Sequence, residues 1–320
     1  MKQALRQLWH QTNPCWLRAR RRVIRGRQWF RAIPERFLRA NWPVDTPSGH
    51  GRVGVVIVNF NTKEHLSHLL YSMFNNIGQD AIARVVVVDN ASTDGSRELL
   101  VQLQRAGLVD VILNHRQRYH GPGINQGIRY LRSVTVTATR PDQRIDYIWI
   151  LDSDTVILRK DVLSHAIQAL QRADAGVAGE FDYRTPSLPQ GYAHVCCLLI
   201  EPAQVWRRSV QPFWESGTPA EALQLSARRR GIVHLDFGFL RDGYVLHLGA
   251  RTLSVIRESR IHQNRYRAWA SQLPAGPGDF SGNPRGAELH QEFLRDYVAA
   301  VPDDSAAALI AACRERPTPD

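Results

Sequence analysis

The stretch YIWILDSDTVIL, residues 147–158, places an apolar run directly before two aspartates that are one residue apart. An apolar run with so few polar interruptions is typical of a strand that is buried on both faces in a parallel sheet. Asp152 and Asp154 then lie where the strand ends, which is where open α/β sheets bind their ligands. The pair therefore indicates a binding site. A capping role is the alternative, and it suits Asp161, just before a helical pattern, better than the earlier pair.

Strand and helix patterns alternate on the amino-terminal side of this stretch. The predicted order is strand 53–58, helix 63–77, strand 83–89, helix 96–107, strand 108–113, helix 123–134 and strand 146–151. Alternation of this length implies a mostly parallel sheet with right-handed crossovers. The sequence therefore predicts an α/β, Rossmann-type sheet flanked by helices.

The composition is that of an ordinary globular protein, with 320 residues of which 43% are hydrophobic and 22% charged. Such a chain can bury the core of one large domain or two small ones. Its four cysteines have neither metal-binding nor disulfide spacing, which favours a reducing cytoplasm. No apolar run reaches the roughly 18 residues of a membrane span, and the amino terminus lacks the apolar centre of a secretory signal.

Most of the net charge of +11 is in residues 1–50, which hold eleven basic residues and two acidic ones. Within this segment, residues 15–42 interleave arginine with aromatic and aliphatic side chains, as interfacial helices on anionic lipid do. We expect a basic amphipathic segment and linker that docks peripherally on the cytoplasmic face of a membrane. A helix that packs on its own domain is the alternative. Nucleic acid is not expected as a partner, since the chain carries no dedicated module for it.

Polar, small or acidic residues follow each predicted strand, and these segments are expected to meet in one crevice. They are 59–62, 89–96, 114–127 and 152–154. Asp89 suits hydrogen bonds from a nucleobase or ribose, whereas Asp94 is better explained as a turn residue before the helix at Ser96. Gly121 and Gly123 begin a helix whose free N–H groups suit phosphate, and a tight turn explains them equally well.

Asp152 and Asp154 suit a hard divalent cation, because Mg²⁺ and Mn²⁺ take oxygen ligands and commonly bridge carboxylates to phosphate. Such an ion would neutralise the charge that develops on a departing diphosphate. By itself, the Asp-x-Asp spacing is a weak signal, so the wider sequence context has to support it.

That context exists in four segments, VGVVIVNFNT, VVVVDNASTDGS, GINQGI and YIWILDSDT. In order and spacing they resemble the nucleotide-sugar domain of family 2 glycosyltransferases, which have the GT-A fold. The resemblance covers roughly residues 53–254, which predicts a GT-A domain at 51–256 and a helical carboxyl-terminal extension and tail at 257–320. It implies inverting transfer of a sugar from a nucleoside diphosphate donor to an acceptor. The basic amino terminus favours a membrane-associated glycan or a lipid-linked acceptor.

The resemblance also assigns the donor-binding residues by position. It implies that Asn59 and Asp89 contact the nucleoside and that Asp152 contacts the donor ribose or sugar. Asn61 and Asn125, which lie in two of the matching segments, are assigned to the same donor site.

For the metal, the resemblance implies Asp154 as a ligand, with Asp152 beside it, and Mn²⁺ or Mg²⁺ as the ion. The segment YVLHLGARTLS, residues 244–254, is similar to the family's late His-Gly-Gly-Ser segment. That similarity makes His247 a further ligand of the metal or the diphosphate. The alternative is a strand histidine that is hydrogen-bonded to backbone.

The sequence departs from the family where the general base is expected. Family members commonly carry a Glu-Asp or Asp-Asp pair about a helix before a glycine, but here the segment 213–231 reads FWESGTPAEALQLSARRRG. An inverting displacement needs a carboxylate near the acceptor hydroxyl to take its proton. We expect Glu215, which follows two aromatic residues suited to stacking on a sugar, and then Glu221. An exposed glutamate without a catalytic role is the alternative.

Two other functional classes stay open. The Asp-x-Asp-x-Val pattern after an apolar strand also fits haloacid dehalogenase-like phosphatases, with Asp152 as nucleophile and Asp154 as acid/base. That class needs a later lysine, and Lys160 lies too near, while the acids at 303–304 fall in a Pro- and Ala-rich tail. The missing acid pair leaves room for a non-catalytic nucleotide-sugar binder or membrane-associated scaffold.

Overall fold

The computed structural model describes Trp42 and residues 51–78, 80–140, 143–181, 191–207, 212–214, 219–247 and 306–314. Several predictions concern residues outside these ranges: the amino-terminal segment apart from Trp42, Glu215, and the extension between 257 and 305. The limits of the predicted domains therefore stay predictions. In the described residues, no helix is both long and apolar enough to cross a bilayer.

Nine strands and seven helices are described. The strands are β1 (Val53–Asn59), β2 (Ile82–Asp89), β3 (Asp110–Leu113), β4 (Tyr147–Asp152), β5 (Thr155–Ile157), β6 (Ala175–Phe181), β7 (Ala193–Ile200), β8 (Val233–Asp236) and β9 (Val245–His247). The helices are α1 (Lys63–Asn76), α2 (Ser96–Arg105), α3 (His120–Thr137), α4 (Val162–Arg172), α5 (Pro202–Arg207), α6 (Glu221–Arg229) and α7 (Ala306–Arg314).

The main sheet has seven strands in the order β3-β2-β1-β4-β7-β6-β8. Strands β3, β2, β1 and β4 are mutually parallel, and β8 is parallel to β6. Strand β7 runs antiparallel to both β4 and β6. The sheet is therefore mostly parallel, as the sequence predicts, and the carboxyl ends of β1, β2 and β4 lie at the same edge.

Strand β4 is buried on both faces, as its apolar sequence predicts. Alternate residues point to opposite sides of a strand, so Trp149 and Leu151 contribute to the core under α1, α2 and α4. Ile148 and Ile150 contribute to the core on the other face, which α3, α5 and α6 cover. Asp152, the last residue of β4, follows this alternation to the α3 side of the sheet.

The helix starts differ from the expected caps. Helix α3 begins at His120, one residue before Gly121, the first of the two predicted glycines. Pro122 therefore lies in the first turn of the helix, where a proline costs no helical hydrogen bond. Asp161 occupies the N-cap position of α4, but its side chain makes no capping bond and pairs with Arg159 at 2.6 Å. The capping interpretation of Asp161 is therefore right for the position and wrong for the contact.

Both ends of the described chain pack on this domain. Trp42, the last residue of the predicted amphipathic stretch, is buried with its ring 6.2 Å from that of Trp206. For this residue, packing on its own domain is what the structure shows. Helix α7, in the expected tail, contributes Leu309 and Cys313 to the core beside α1 and α2.

A second sheet of two strands, β5 and β9, lies just after β4 in the structure. Strand β5 continues directly from the turn after β4, and β9 pairs with it in antiparallel fashion, with Thr155 opposite His247. This pairing returns the chain, more than 90 residues later, to the turn that contains the two aspartates. The register of the β5–β9 pair therefore fixes which late residue reaches that turn.

Candidate functional site

The strand register gathers the predicted strand-end residues into one row. Asn59 at the end of β1 is opposite Asp89 at the end of β2, and Val58 is opposite Asp152 at the end of β4. The three residues are on adjacent strands, but Asn59 and Asp89 follow Ile57 and Val87 to the α1 side of the sheet, whereas Asp152 points to the α3 side. This edge of the sheet, called the crevice below, thus carries carboxylates and an amide at the ends of three adjacent strands.

Asp152, Asp154 and His247 form a compact cluster at one end of this crevice. Their potential ligand atoms all lie within 4.8 Å of one another. Nε2 of His247 is 3.1 Å from Oδ1 of Asp154 and 3.6 Å from Oδ2 of Asp152. The Nε2 edge of the imidazole therefore faces the two acids.

The cluster holds two carboxylates and one imidazole, so negative charge exceeds positive charge even when His247 is protonated. Burial by itself lowers the pKa of His247, but the charge of Asp154 and its hydrogen bond, then the charge of Asp152, raise it to about 9. At neutral pH the imidazole is therefore protonated and neutralises part of the negative charge. Two carboxylates and an imidazole are also a donor set that Mn²⁺ accepts, so a cation fits where the proton is held.

His120 is a member of this end that the sequence analysis does not single out. It is the first residue of α3, its side chain is 29% exposed, and its Nε2 lies 3.2 Å from Oδ1 of Asp152. In the described part of the chain, that Oδ1 is buried and accepts no hydrogen bond of good geometry. The only sequence signal for His120 is its place in the polar segment 114–127, at the start of a helix.

Asp89, at the other end of the row, is fully buried. Its Oδ1 accepts hydrogen bonds from the backbone N–H of Ser92 at 3.0 Å and from Arg97 at 3.1 Å, and its Oδ2 accepts one from Asn59 at 3.0 Å. The carboxylate therefore organises the turn that follows β2. Its contact with a nucleoside stays a prediction.

Asn59, the last residue of β1, and Asn61, two residues later, contact the same turn. Asn59 is buried and also donates to Oγ of Ser92 at 3.1 Å. Asn61 adopts a left-handed conformation with φ 53°, its backbone N–H donates to the same Oγ at 2.9 Å, and its side chain accepts from the N–H of Thr93 at 2.7 Å. The donor contacts assigned to both asparagines stay predictions.

Asn125 is hydrogen-bonded to a distant segment of the chain, and its assignment to the donor site stays a prediction. Its buried amide donates to the carbonyl of Phe213 at 2.9 Å and accepts from the N–H of Phe213 at 3.1 Å. The carbonyl of Trp214 lies so close to Gly121 that a Cβ there would overlap it. Helix α3, whose first residue is His120, therefore holds the segment 213–214 at the Asp152 end of the crevice.

In the sequence, the candidate bases Glu215 and Glu221 lie on either side of Pro219. The N–H of Trp214 donates to the carbonyl of Pro219 at 2.8 Å, and Glu215 lies outside the described residues. Glu221, in the first turn of α6, is only 7% exposed, so it is not a solvated surface glutamate. Burial raises the pKa of the Tyr192 phenol, and the nearby charge of Glu221 raises it further.

Comparison with known proteins gives one family and several similar folds. A model described as "Glycosyl transferase family 2" matches residues 54–233, more than half of the chain. The search of curated proteins found no match to this chain. Among solved structures, S. aureus TarS 1-349 in complex with UDP-GlcNAc is 16% identical with a TM-score of 0.42, over 55% of this chain and 53% of that chain. That match spans about half of the TarS chain.

Two further structures are similar over more of the chain. The mannosyltransferase PcManGT from Pyrobaculum calidifontis, in complex with GDP-Man and Mn²⁺, is 18% identical with a TM-score of 0.46, over 94% of this chain and 86% of that chain. S. aureus TarS 1-349 is 15% identical with a TM-score of 0.45, over 82% of this chain and 90% of that chain.

Proposed function

Because the chain belongs to glycosyl transferase family 2 and has the GT-A fold, we propose that it transfers a sugar from a nucleoside diphosphate sugar to an acceptor, with inversion and with a divalent cation. The observation that carries the proposal is the cluster of Asp152, Asp154 and His247 at the carboxyl end of β4. A site that gathers two carboxylates and an imidazole around one point is built to hold a cation, and a diphosphate leaving group needs one.

Each side chain of the cluster then has a defined task. Asp154 and His247 would hold Mn²⁺ or Mg²⁺, and Asp152, whose buried Oδ1 accepts no hydrogen bond within the described residues, would add a ligand or contact the donor sugar. The bound ion would supply positive charge to the diphosphate as it leaves. Asn59 and Asp89 shape the neighbouring wall of the crevice, where the nucleoside would lie.

Inversion requires a base on the face of the sugar opposite the leaving group. We propose Glu215 for this role, with Glu221 second. Glu215 directly follows Trp214 in the sequence, and Trp214 is held against Gly121 at the Asp152 end of the crevice. We expect Glu215→Gln to abolish transfer and Glu221→Gln to reduce it less, as measured by release of nucleoside diphosphate. The reverse order would assign the base to Glu221.

The acceptor and location are proposed from charge. A segment with a net charge of +9 over residues 1–50 favours binding to anionic lipid, so we propose a glycan or lipid-linked acceptor at the cytoplasmic face of a membrane. Co-sedimentation of the full chain with phosphatidylserine vesicles, compared with neutral vesicles, tests the membrane part. Equal sedimentation with both would contradict it.

The phosphatase alternative loses its support at the same site. A haloacid dehalogenase-like mechanism needs a lysine beside the two aspartates, and the structure places a histidine there. Membership of a glycosyltransferase family points to transfer. The scaffold alternative becomes an outcome of the donor experiment below.

The donor experiment measures the melting temperature with UDP, GDP, dTDP and CDP, each with and without Mn²⁺. A ligand that binds only the folded state raises the melting temperature by mass action. We expect a shift with one nucleotide that requires Mn²⁺ and disappears in Asp154→Asn but persists in Asp161→Asn, a partly exposed aspartate at the N-cap position of α4. No shift with any nucleotide would contradict the proposal, and a shift without turnover of any nucleotide sugar would favour the scaffold.

A further inference from the structure

Ser153, the middle residue of the Asp-Ser-Asp turn, is buried and contacts a residue from a different strand end. Its Oγ lies 2.8 Å from Oγ1 of Thr62, which is also buried. Thr62 in turn donates a hydrogen bond to Oδ1 of Asn59 at 2.7 Å. A hydroxyl carries one proton, and that of Thr62 is used for Asn59, so Ser153 must be the donor to Thr62.

The charge of Asp89, at the far end of this series of hydrogen bonds, fixes the direction in which they donate. Nδ2 of Asn59 donates to Oδ2 of Asp89 at 3.0 Å, and a reversed amide would place its oxygen against the carboxylate. The hydrogen bonds therefore run one way, from Ser153 through Thr62 and Asn59 to Asp89. Bonds in a buried chain that ends on a charged acceptor polarise and strengthen one another.

We propose that Thr62 is a positioning residue for the turn that holds the metal ligands Asp152 and Asp154. The pairing of β1 with β4 fixes the chain only as far as Asp152, and the β5–β9 pairing resumes at Thr155, so Ser153 and Asp154 lie between the two sheets' registers. The Thr62 hydroxyl fixes the residue between the two ligands. This inference rests on the proposed function, because it takes the two aspartates as ligands of a divalent cation.

A second hydrogen bond that anchors the turn comes from Thr155, the residue that follows Asp154. Oγ1 of Thr155 donates to the carbonyl of Asp152 at 2.8 Å. That bond closes the turn locally, but it does not tie the turn to the strands of the nucleoside end. The Ser153–Thr62 bond makes this tie. Loss of the Thr62 hydroxyl should therefore displace the carboxylates relative to each other and to the crevice.

A simpler role is that the two hydroxyls only satisfy each other as buried polar groups. Under that role, removing one of them lowers stability and leaves metal affinity alone. Under the positioning role, it weakens metal binding as well. The two roles therefore predict different results for the same variant.

The test measures binding of Mn²⁺ alone to the full chain, by the loss of the electron paramagnetic resonance signal of free Mn²⁺. We expect Thr62→Val, which keeps the shape and removes the hydroxyl, to weaken Mn²⁺ affinity about 10–100-fold, as outer-shell substitutions typically do. Thr62→Ser restores the hydroxyl and should restore most of the affinity. Thr135→Val is the matched control, since Thr135 is a buried threonine of α3 that donates to the carbonyl of Leu131.

The wild-type and variant measurements separate the two failures. Wild-type protein that binds no Mn²⁺ would overturn this inference together with the metal part of the proposed function. Wild-type binding with unchanged affinity in Thr62→Val would overturn this inference alone, even with a lower melting temperature. If Thr62→Val does not fold, Ser153→Ala removes the same bond and leaves Asn59 paired with Thr62. Ser153→Ala should then weaken Mn²⁺ binding, and unchanged affinity would overturn the inference.

Discussion

The carboxylates at the two ends of the crevice differ in their partners. At the β2 end, Asp89 is fully buried, and both of its oxygens accept hydrogen bonds from within the protein, including one from Arg97. At the β4 end, Asp152 and Asp154 are turned toward each other, and a protonated His247 lies within 3.6 Å of both.

This difference distinguishes an aspartate that is hydrogen-bonded within the protein from the two aspartates that we propose as ligands of a cation. A carboxylate whose partners are all protein groups stabilises the fold, because removing it leaves its buried donors unsatisfied. Two like charges held close together oppose folding unless a cation or proton neutralises them. The β2 end therefore builds the crevice, and the β4 end is where the chemistry should occur.

The largest effect expected from this contrast is in Asp154→Ala. Sugar transfer should fall by about 10³-fold, since stabilisation by a metal ion is worth several kcal/mol in the transition state. The metal-free protein should lose some stability but stay folded, because His247 keeps Asp152 as a counter-charge. Turnover of the nucleotide sugar and thermal melting measure the two quantities. A variant that unfolds but transfers normally per folded molecule would reverse the assignment of the two ends.

A smaller effect, on stability, is expected in Asp89→Asn. The free energy of unfolding should fall by about 3 kcal/mol, because the new amide leaves Arg97 without its counter-charge and points a donor at another donor. Urea denaturation measures this loss. Asp161→Asn is the control, and it should change stability much less because exposed ion pairs contribute little. Equal losses in the two variants would mean that Asp89 is not a structural centre.

The smallest effect is a dependence on pH at the β4 end. The pKa of His247 in the folded, metal-free protein is about 9, above the ordinary value of 6.5. A raised pKa means that the stability from the imidazolium is fully present below pH 6.5 and is lost as the pH rises through 9. The difference in melting temperature between wild type and His247→Gln should therefore shrink over this range. A constant difference would show that the imidazole does not neutralise the two acids.

Much of the fold could be predicted because its signals are local. The apolar runs that end at Asp89 and Asp152 are strands in the structure within one or two residues, and Asp94 is the expected turn residue, bonded to Ser96 at 2.6 Å. The assigned donor contacts stay predictions, and the contacts that these residues make within the protein were not predictable. Asn125 contacts Phe213, 88 residues away, and no local pattern around Asn125 signals that pairing.

The sequence by itself determined the alternating strands and helices and the acidic residues at the strand ends, since hydrophobic period and residue type act over a few neighbouring residues. Only the tertiary structure decided which side chains meet. His247 reaches Asp154 across 93 residues through the β5–β9 register, and Thr62 reaches Ser153 across 91 through the order of strands. Such contacts depend on how distant segments pair and pack, and that is a property of the whole chain.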